Sequence, residues 1–300
     1  MRGILPKTQA IQRVVPAPKK YVRVVTDSTA CIPHTAETGY GPAIVPLTVI
    51  TPHGPLFDGS EIAVEESIDR LKQGEALSTS QPSPEAFAVA FHFAADVSAI
   101  VAILLSSELS GTYAGGVAAS RRITIPVTVI DSRTTAMGLG YAALEAGECA
   151  AAGRSAEHVA DRAREVAATA KVRFLVDSLQ HLRRGGRISP GTAAIGSALG
   201  VRPILEMHDG RIELAQKVRT RNAAIDRLVS LAVHDAETMT RPAIAVHHFG
   251  ASDRLDKLVS KLEAAFGKPP LVSELSAVLG SHVGPGALAT VVVDLGHHVH

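Results

Sequence analysis

Three features of the chain predict an α/β fold with a mostly parallel sheet in its N-terminal half and a mixed sheet in its C-terminal half. Strand-like and helix-like stretches alternate from Tyr21 onward, the order expected of α/β layers. Runs such as Ala99–Leu105 are apolar without alternation, as strands covered on both faces are. His208-Asp209-Gly210 separates two strand-like runs and marks an antiparallel hairpin in the second half.

Taken in order, Tyr21–Thr26 reads as a strand, and Ile44–Ile50 as the next. A hairpin-like His53-Gly54-Pro55 turn precedes a capped helix around Val64–Gln73. Ala99–Leu105 and Pro126–Ile130 are further strands, with helices starting near Pro84, Ser110, Thr134 and Ser155. The second set of strands is Val172–Val176, Val201–Met207, Arg211–Val218, Ala243–His247 and Ala289–Asp294. The helical stretch Ser155–Ala170 bridges the two sets, which divides the chain into a basic tail at 1–20, an N-terminal α/β domain at 21–165 and a C-terminal α/β domain at 166–300.

Composition bounds the possible chemistry. At 300 residues and 46% hydrophobic content the chain can build real cores. Thirty basic residues against 29 acidic ones give a net charge of +1, so no global field favours nucleic acid or an anionic membrane. No apolar run approaches the ~20 residues that span a bilayer, so stable membrane insertion is not expected. Cys31 and Cys149 are too few for a disulfide framework or a zinc knuckle, which fits a cytoplasmic protein. The first 23 residues carry six basic and no acidic residues, are interrupted by Pro6, Pro16 and Pro18, and read as a disordered tail without the apolar core of a secretion signal.

Three polar loops follow strands: Asp27-Ser28-Thr29, Ser106–Thr112 and Asp131–Thr135. Parallel strands gather such loops at one edge, where hydroxyls and free helix N–H groups can hold an anionic head group. Each loop taken alone is equally a set of helix N-caps. Ser78–Pro84 is a fourth polar loop, and Gly280–Gly286 places His282 among glycines that let backbone approach a ligand. The basic turn Arg183-Arg184-Gly185-Gly186-Arg187 suits either a solvated helix end or a loop that meets a partner or a phosphate.

The absences are also informative. There is no Gly-x-x-x-x-Gly-Lys-Ser/Thr phosphate loop and no Gly-x-Ser-x-Gly nucleophile elbow. Gly138-Leu139-Gly140 falls too far beyond its strand for a dinucleotide fingerprint, so helix packing explains it better. His247-His248 and the terminal His297, His298 and His300 lack metal-ligand spacing, and no structural metal is expected.

In order along the chain, Asp27-Ser28-Thr29, Thr79–Ser83, Ser106–Tyr113, Arg184–Ser189, Arg202–Leu205 and His282–Gly286 closely resemble the DegV family of fatty-acid-binding proteins, from about Val22 to Gly296. Ser281 stands where the family often has threonine, which keeps the hydroxyl. The resemblance implies a two-domain lipid-binding protein that is not itself an enzyme and needs no cofactor. It implies one long-chain fatty acid in a tunnel, its carboxylate presented to the catalytic subunit of a fatty acid kinase that makes an acyl phosphate for phospholipid synthesis. By motif position, Thr79, Ser80, Ser110, Thr112 and His282 surround the head group, and Gly111 and Gly284 keep backbone close to it. Arg187, with Arg183 or Arg184, is expected to serve the partner and not the lipid. The rival readings are an esterase or acyl-transfer enzyme using Ser106 or Ser110 with His282, and a nucleotide-binding enzyme.

Overall fold

In the computed structural model of the chain, the described residues are 21–36, 41–92, 97–188 and 202–296. The tail expected at 1–20, Ser189, Val201 and the terminal histidines lie outside them.

The N-terminal half contributes β1 (Tyr21–Asp27), β2 (Ala43–Val45), β3 (Thr48–Thr51), β4 (Gly54–Phe57), α1 (Val64–Lys72), β5 (Ser78–Ser80), α2 (Pro84–His92), β6 (Val97–Leu104), α3 (Thr112–Ser120), β7 (Val127–Asp131), α4 (Met137–Ala151) and α5 (Ala156–Thr169). Its main sheet has the order β2-β1-β6-β7 and is parallel throughout. Successive residues of β6 serve opposite faces, the period-two rule of a strand. Ile100, Ala102 and Leu104 pack with Phe87, Phe91 and Ala119 of α2 and α3, while Val101 and Ile103 join the cluster that includes α4 and α5.

The C-terminal half adds β8 (Lys171–Leu175), α6 (Gln180–Gly185), β9 (Arg202–His208), β10 (Arg211–Val218), α7 (Arg221–Ala236), β11 (Pro242–Phe249), α8 (Ser252–Phe266), β12 (Leu271–Glu274), α9 (Ala277–Val283) and β13 (Ala287–Asp294). These strands form a mixed sheet of order β10-β9-β8-β13-β11-β12, in which the β11–β12 pair is parallel. The expected hairpin joins β9 to β10, with Asp209 (φ 46°) and Gly210 (φ 81°) both left-handed, as a tight two-residue turn requires. One face of this sheet packs on α7 and α8 through Leu228 and Leu258. The other shares its core with the parallel sheet through Val172, Phe174 and Val291. The expected boundary at 165–166 falls inside α5, which packs against β6 and β7 on one side and β13 on the other.

Four local readings are corrected. Ile44–Ile50 is not one strand: it breaks around Pro46, leaving β2 in the parallel sheet and β3 in a separate antiparallel sheet of order β4-β3-β5. Proline cannot donate to a ladder, so the chain changes sheets there. Ser78–Ser80 is not loop but the edge strand β5, paired to β3 with Val49 opposite Thr79. Gly280, read as a glycine that lets backbone approach a ligand, is instead a packing glycine inside α9, where Phe249 fills the space of a Cβ; that helix is started by Ser276, whose side chain accepts the Leu279 N–H. Finally, α1 has no side-chain cap at Ala63; Glu65 and Glu66 in its first turn and Arg70 and Lys72 in its last complement the helix dipole instead.

Candidate functional site

The three polar loops do meet at the carboxyl edge of the parallel sheet, but two of them are spent on holding the fold. Asp27 accepts the Thr29 N–H (3.0 Å) and hydroxyl (2.6 Å) and the Leu105 N–H (2.8 Å). Asp131 accepts from the Ser107 hydroxyl (2.5 Å) and the Arg133 N–H (2.9 Å). Burial raises the Asp27 carboxyl to a pKa of about 6, against which its hydrogen bonds pull.

Beyond that edge lies a cavity of about 860 Å³ of empty space, its open mouth included. It is bounded by the parallel sheet, the small β4-β3-β5 sheet, α9 and the inner face of the mixed sheet. Most of its wall is apolar, with Leu105, Phe174, Leu279 and Ala289 among the contributors, and its polar residues include Thr79, Ser80, Gln81, Ser110, Arg187 and His282. An apolar pocket with a few convergent polar groups is the form of a small-molecule site.

His282 organises this polar group. Its Nε2 lies 2.7 Å from Thr79 Oγ1. Its Nδ1 is buried without a partner among the described residues and abuts Gly185, where an added Cβ would stand 2.4 Å away. The tautomer sets the direction of this bond: a proton on Nε2 donates to Thr79 and leaves the threonine hydroxyl free to donate into the cavity, and a proton on Nδ1 reverses it. Burial first, then the charge of Arg187, lowers the His282 pKa to about 4, so the ring is neutral at pH 7.

Ser110 sits in the turn before α3, its Oγ 2.9 Å from Thr112 Oγ1. Thr112 is fully buried and does not line the cavity; it orients Ser110. Gly111 is not in the lining; it lies under Gln81, which is, and a Cβ there would be 1.9 Å from Oε1. Gly284 is not in the lining: at φ 80° it ends α9, and its missing Cβ makes room for the His181 ring.

The basic turn divides in two. Arg183 and Arg184 are exposed at the end of α6. Arg187 is half-buried on the cavity wall, donating from Nε to the Leu109 carbonyl (3.1 Å) and from Nη1 to the Gly185 carbonyl. The expectation of an exposed, mobile Arg187 is therefore corrected: two carbonyls, one from each half of the chain, fix its guanidinium.

No serine at the expected positions pairs with His282. Ser106 is fully buried and donates to the Gly210 carbonyl (2.7 Å), Ser110 pairs with Thr112, and the histidine is taken by Thr79. Gly138 and Gly140 are buried in α4, each tight against a neighbour, in keeping with helix packing. Buried His247 accepts the Met137 N–H at 3.0 Å and joins the two halves of the core. Among the described residues no group of three or more His, Cys, Asp or Glu is placed to hold a metal ion, and no helix is long and apolar enough to cross a membrane.

Sequence reasoning missed Gln81, Arg187 as a wall residue, and the apolar contribution of α9. The Ser276 cap before Ala277-Val278-Leu279 was the available signal for that helix.

Residues 21–295 match the family described as "Uncharacterised protein, DegV family". A DegV domain-containing protein of Streptomyces coelicolor is 42% identical over 277 residues, covering 91% of this chain and 98% of its own. Among solved structures, a DegV family protein from Thermus thermophilus, described with fatty acid binding, superposes with a TM-score of 0.83 at 32% identity, covering 91% of this chain and 99% of the other. DegV of Bacillus subtilis, described as a fatty acid binding protein, gives 0.84 at 32% identity, covering 92% and 99%. A match over nearly the whole described chain, at these identities and with this architecture, makes the protein a member of the DegV family.

Proposed function

We propose that this protein binds one long-chain fatty acid in the cavity, with the carboxylate at Thr79, Ser110 and His282, and presents that carboxylate to a separate kinase for acyl phosphate formation. The observation that carries the reading is the Thr79–His282 pair at the polar end of an otherwise apolar cavity. An acyl chain of ~16 carbons buried at ~0.8 kcal/mol per methylene gives on the order of 12 kcal/mol of gross binding before ordering costs. A carboxylate leaving water costs several kcal/mol unless its oxygens are satisfied, and hydroxyls such as those of Thr79, held by His282, and Ser110 can do so. The fatty acid binding of the Thermus and Bacillus relatives supports the same ligand class.

The protein acts as a carrier and not as a hydrolase in this reading, since neither Ser106 nor Ser110 is paired with His282, which is taken by Thr79. Arg183 and Arg184 are the part of the basic turn open to an acidic kinase surface, and Arg187 stands between the lipid and that partner. Two unpaired cysteines accord with a cytoplasmic setting. Native mass spectrometry of protein purified from cells tests the carrier role: a bound mass in the fatty acid range is expected, and a chain that arrives and stays empty in the presence of C14 to C18 acids would refute it. For the kinase step, an Arg183→Ala, Arg184→Ala variant should bind lipid normally yet support less acyl phosphate formation.

A further inference from the structure

Asp58 stands just after β4, is 4% exposed, and has no part in the cavity lining. Its Oδ2 accepts the Ser28 hydroxyl at 2.7 Å and its Oδ1 accepts the Ala277 N–H at 3.0 Å. Ser28 Oγ also accepts the Leu47 N–H (3.1 Å), and the Asp58 N–H donates to the Leu47 carbonyl (2.9 Å). Ser28 thus serves Asp58, and Asp58 serves the first turn of α9.

That helix has seven residues, too few to hold a position by its own stability. It is fastened at both ends to the same three-stranded sheet: Asp58, beyond β4, takes Ala277 at the start, and Thr79, on β5, takes His282 near the end. Between these two points α9 presents Val278 and Leu279 to the cavity. Simple packing would be served as well or better by an apolar side chain, because a buried carboxylate costs several kcal/mol to desolvate. Burial raises the Asp58 carboxyl above its ordinary pKa, the hydrogen bonds from Ser28 and from the start of α9 pull against it, and those bonds fix where the helix starts.

We propose that Asp58 is a positioning residue for the head-group site: by fastening the first turn of α9 to the small sheet, it sets where His282 meets Thr79 and so how the ligand carboxylate is gripped. The inference rests on the fatty acid reading. Removing the fastening lets α9 rotate and slide, which misplaces His282 while leaving most of the apolar wall in place.

The test compares palmitic acid with hexadecanol, which shares the chain but lacks the carboxylate, on delipidated protein. For Asp58→Ala, palmitic acid affinity is expected to fall by about tenfold and hexadecanol affinity to stay within about twofold. The His282 ring signals in NMR should move with it, from a ring that stays neutral well below pH 6 to one that titrates in the ordinary histidine range. Asp58→Asn keeps the volume and removes the charge; if the alanine variant does not fold, the same selective loss is expected from the asparagine variant. Equal loss of both ligands, or unchanged palmitic acid affinity with unmoved His282 signals, would overturn the proposal. A wild-type protein that binds neither ligand would instead sink the fatty acid reading itself.

Discussion

Thr79 Oγ1 and His282 Nε2 lie 2.7 Å apart although 203 residues separate them in the chain. The contact joins an edge strand of the small sheet to a short helix of the C-terminal half, and it closes the polar end of the cavity. Replacing Thr79 by valine keeps the shape and removes the hydroxyl. Fatty acid affinity of the folded variant is expected to drop by about 1–3 kcal/mol, read by calorimetric titration, and unchanged affinity would place the head group elsewhere.

Gly185 and Gly186 are adjacent but constrained for different reasons. A Cβ on Gly185 would stand 2.4 Å from His282 Nδ1, whereas Gly186 faces open space at φ +69°. Gly185→Ala should therefore push the imidazole off Thr79 and weaken ligand binding by about tenfold. Gly186→Ala should cost roughly 1–2 kcal/mol of stability from its left-handed backbone and leave affinity unchanged. Paired titrations and denaturant melts of the two variants separate these effects, and identical phenotypes would contradict the assignment.

Acid should expose the buried histidines. Burial lowers His247 to a pKa of about 4, below its unfolded value of 6.5, so the unfolded chain binds more protons between those pH values. The stability it contributes is present above pH 6.5 and lost as pH falls toward 4, on the order of 3 kcal/mol in all. Asp27 works with the opposite sign: raised to about 6, it contributes stability at low pH that is lost as pH rises through 6. Comparing wild type with His247→Gln by urea unfolding at pH 7.5 and 4.5 cancels the Asp27 slope. The variant should be clearly less stable at the higher pH, and the gap should narrow at the lower one.

Ser106 looks like a nucleophile in the sequence and is a strut in the structure, with its proton on the Gly210 carbonyl of the β9–β10 turn. Ser106→Ala should cost about 1–3 kcal/mol of stability by leaving that carbonyl unpaired. Ester hydrolysis should stay at background before and after the change. Turnover that disappears with Ser106 would restore the hydrolase reading.

What the sequence made legible is what local chemistry determines. The unbroken apolar run of β6 is visible because both of its faces are covered, and the β9–β10 turn because Asp209-Gly210 suits left-handed backbone. The hydroxyl turns at the sheet edge were visible for the same reason, although Asp27 and Asp131 proved to bond neighbouring loops. Three consecutive hydroxyl residues, Ser78-Thr79-Ser80, carry no strand signal, because only pairing with β3 makes them one. Glycines masked α9: Gly280 is there because Phe249 fills the space of its Cβ, a contact invisible at short range. Arg187 and Asp58 were misread or unseen since their partners, Leu109 and Ala277, lie 78 and 219 residues away.

The most direct measurement is calorimetric titration of delipidated protein with palmitic acid, for the wild type and for a Thr79→Val, Ser110→Ala double variant. Wild type is expected to saturate at one ligand per chain, and the folded double variant to bind at least about tenfold more weakly as the carboxylate loses its donors. No saturable binding by the wild type, or equal affinity in the double variant, would contradict the assignment of this cavity and its Thr79–Ser110–His282 end to a fatty acid.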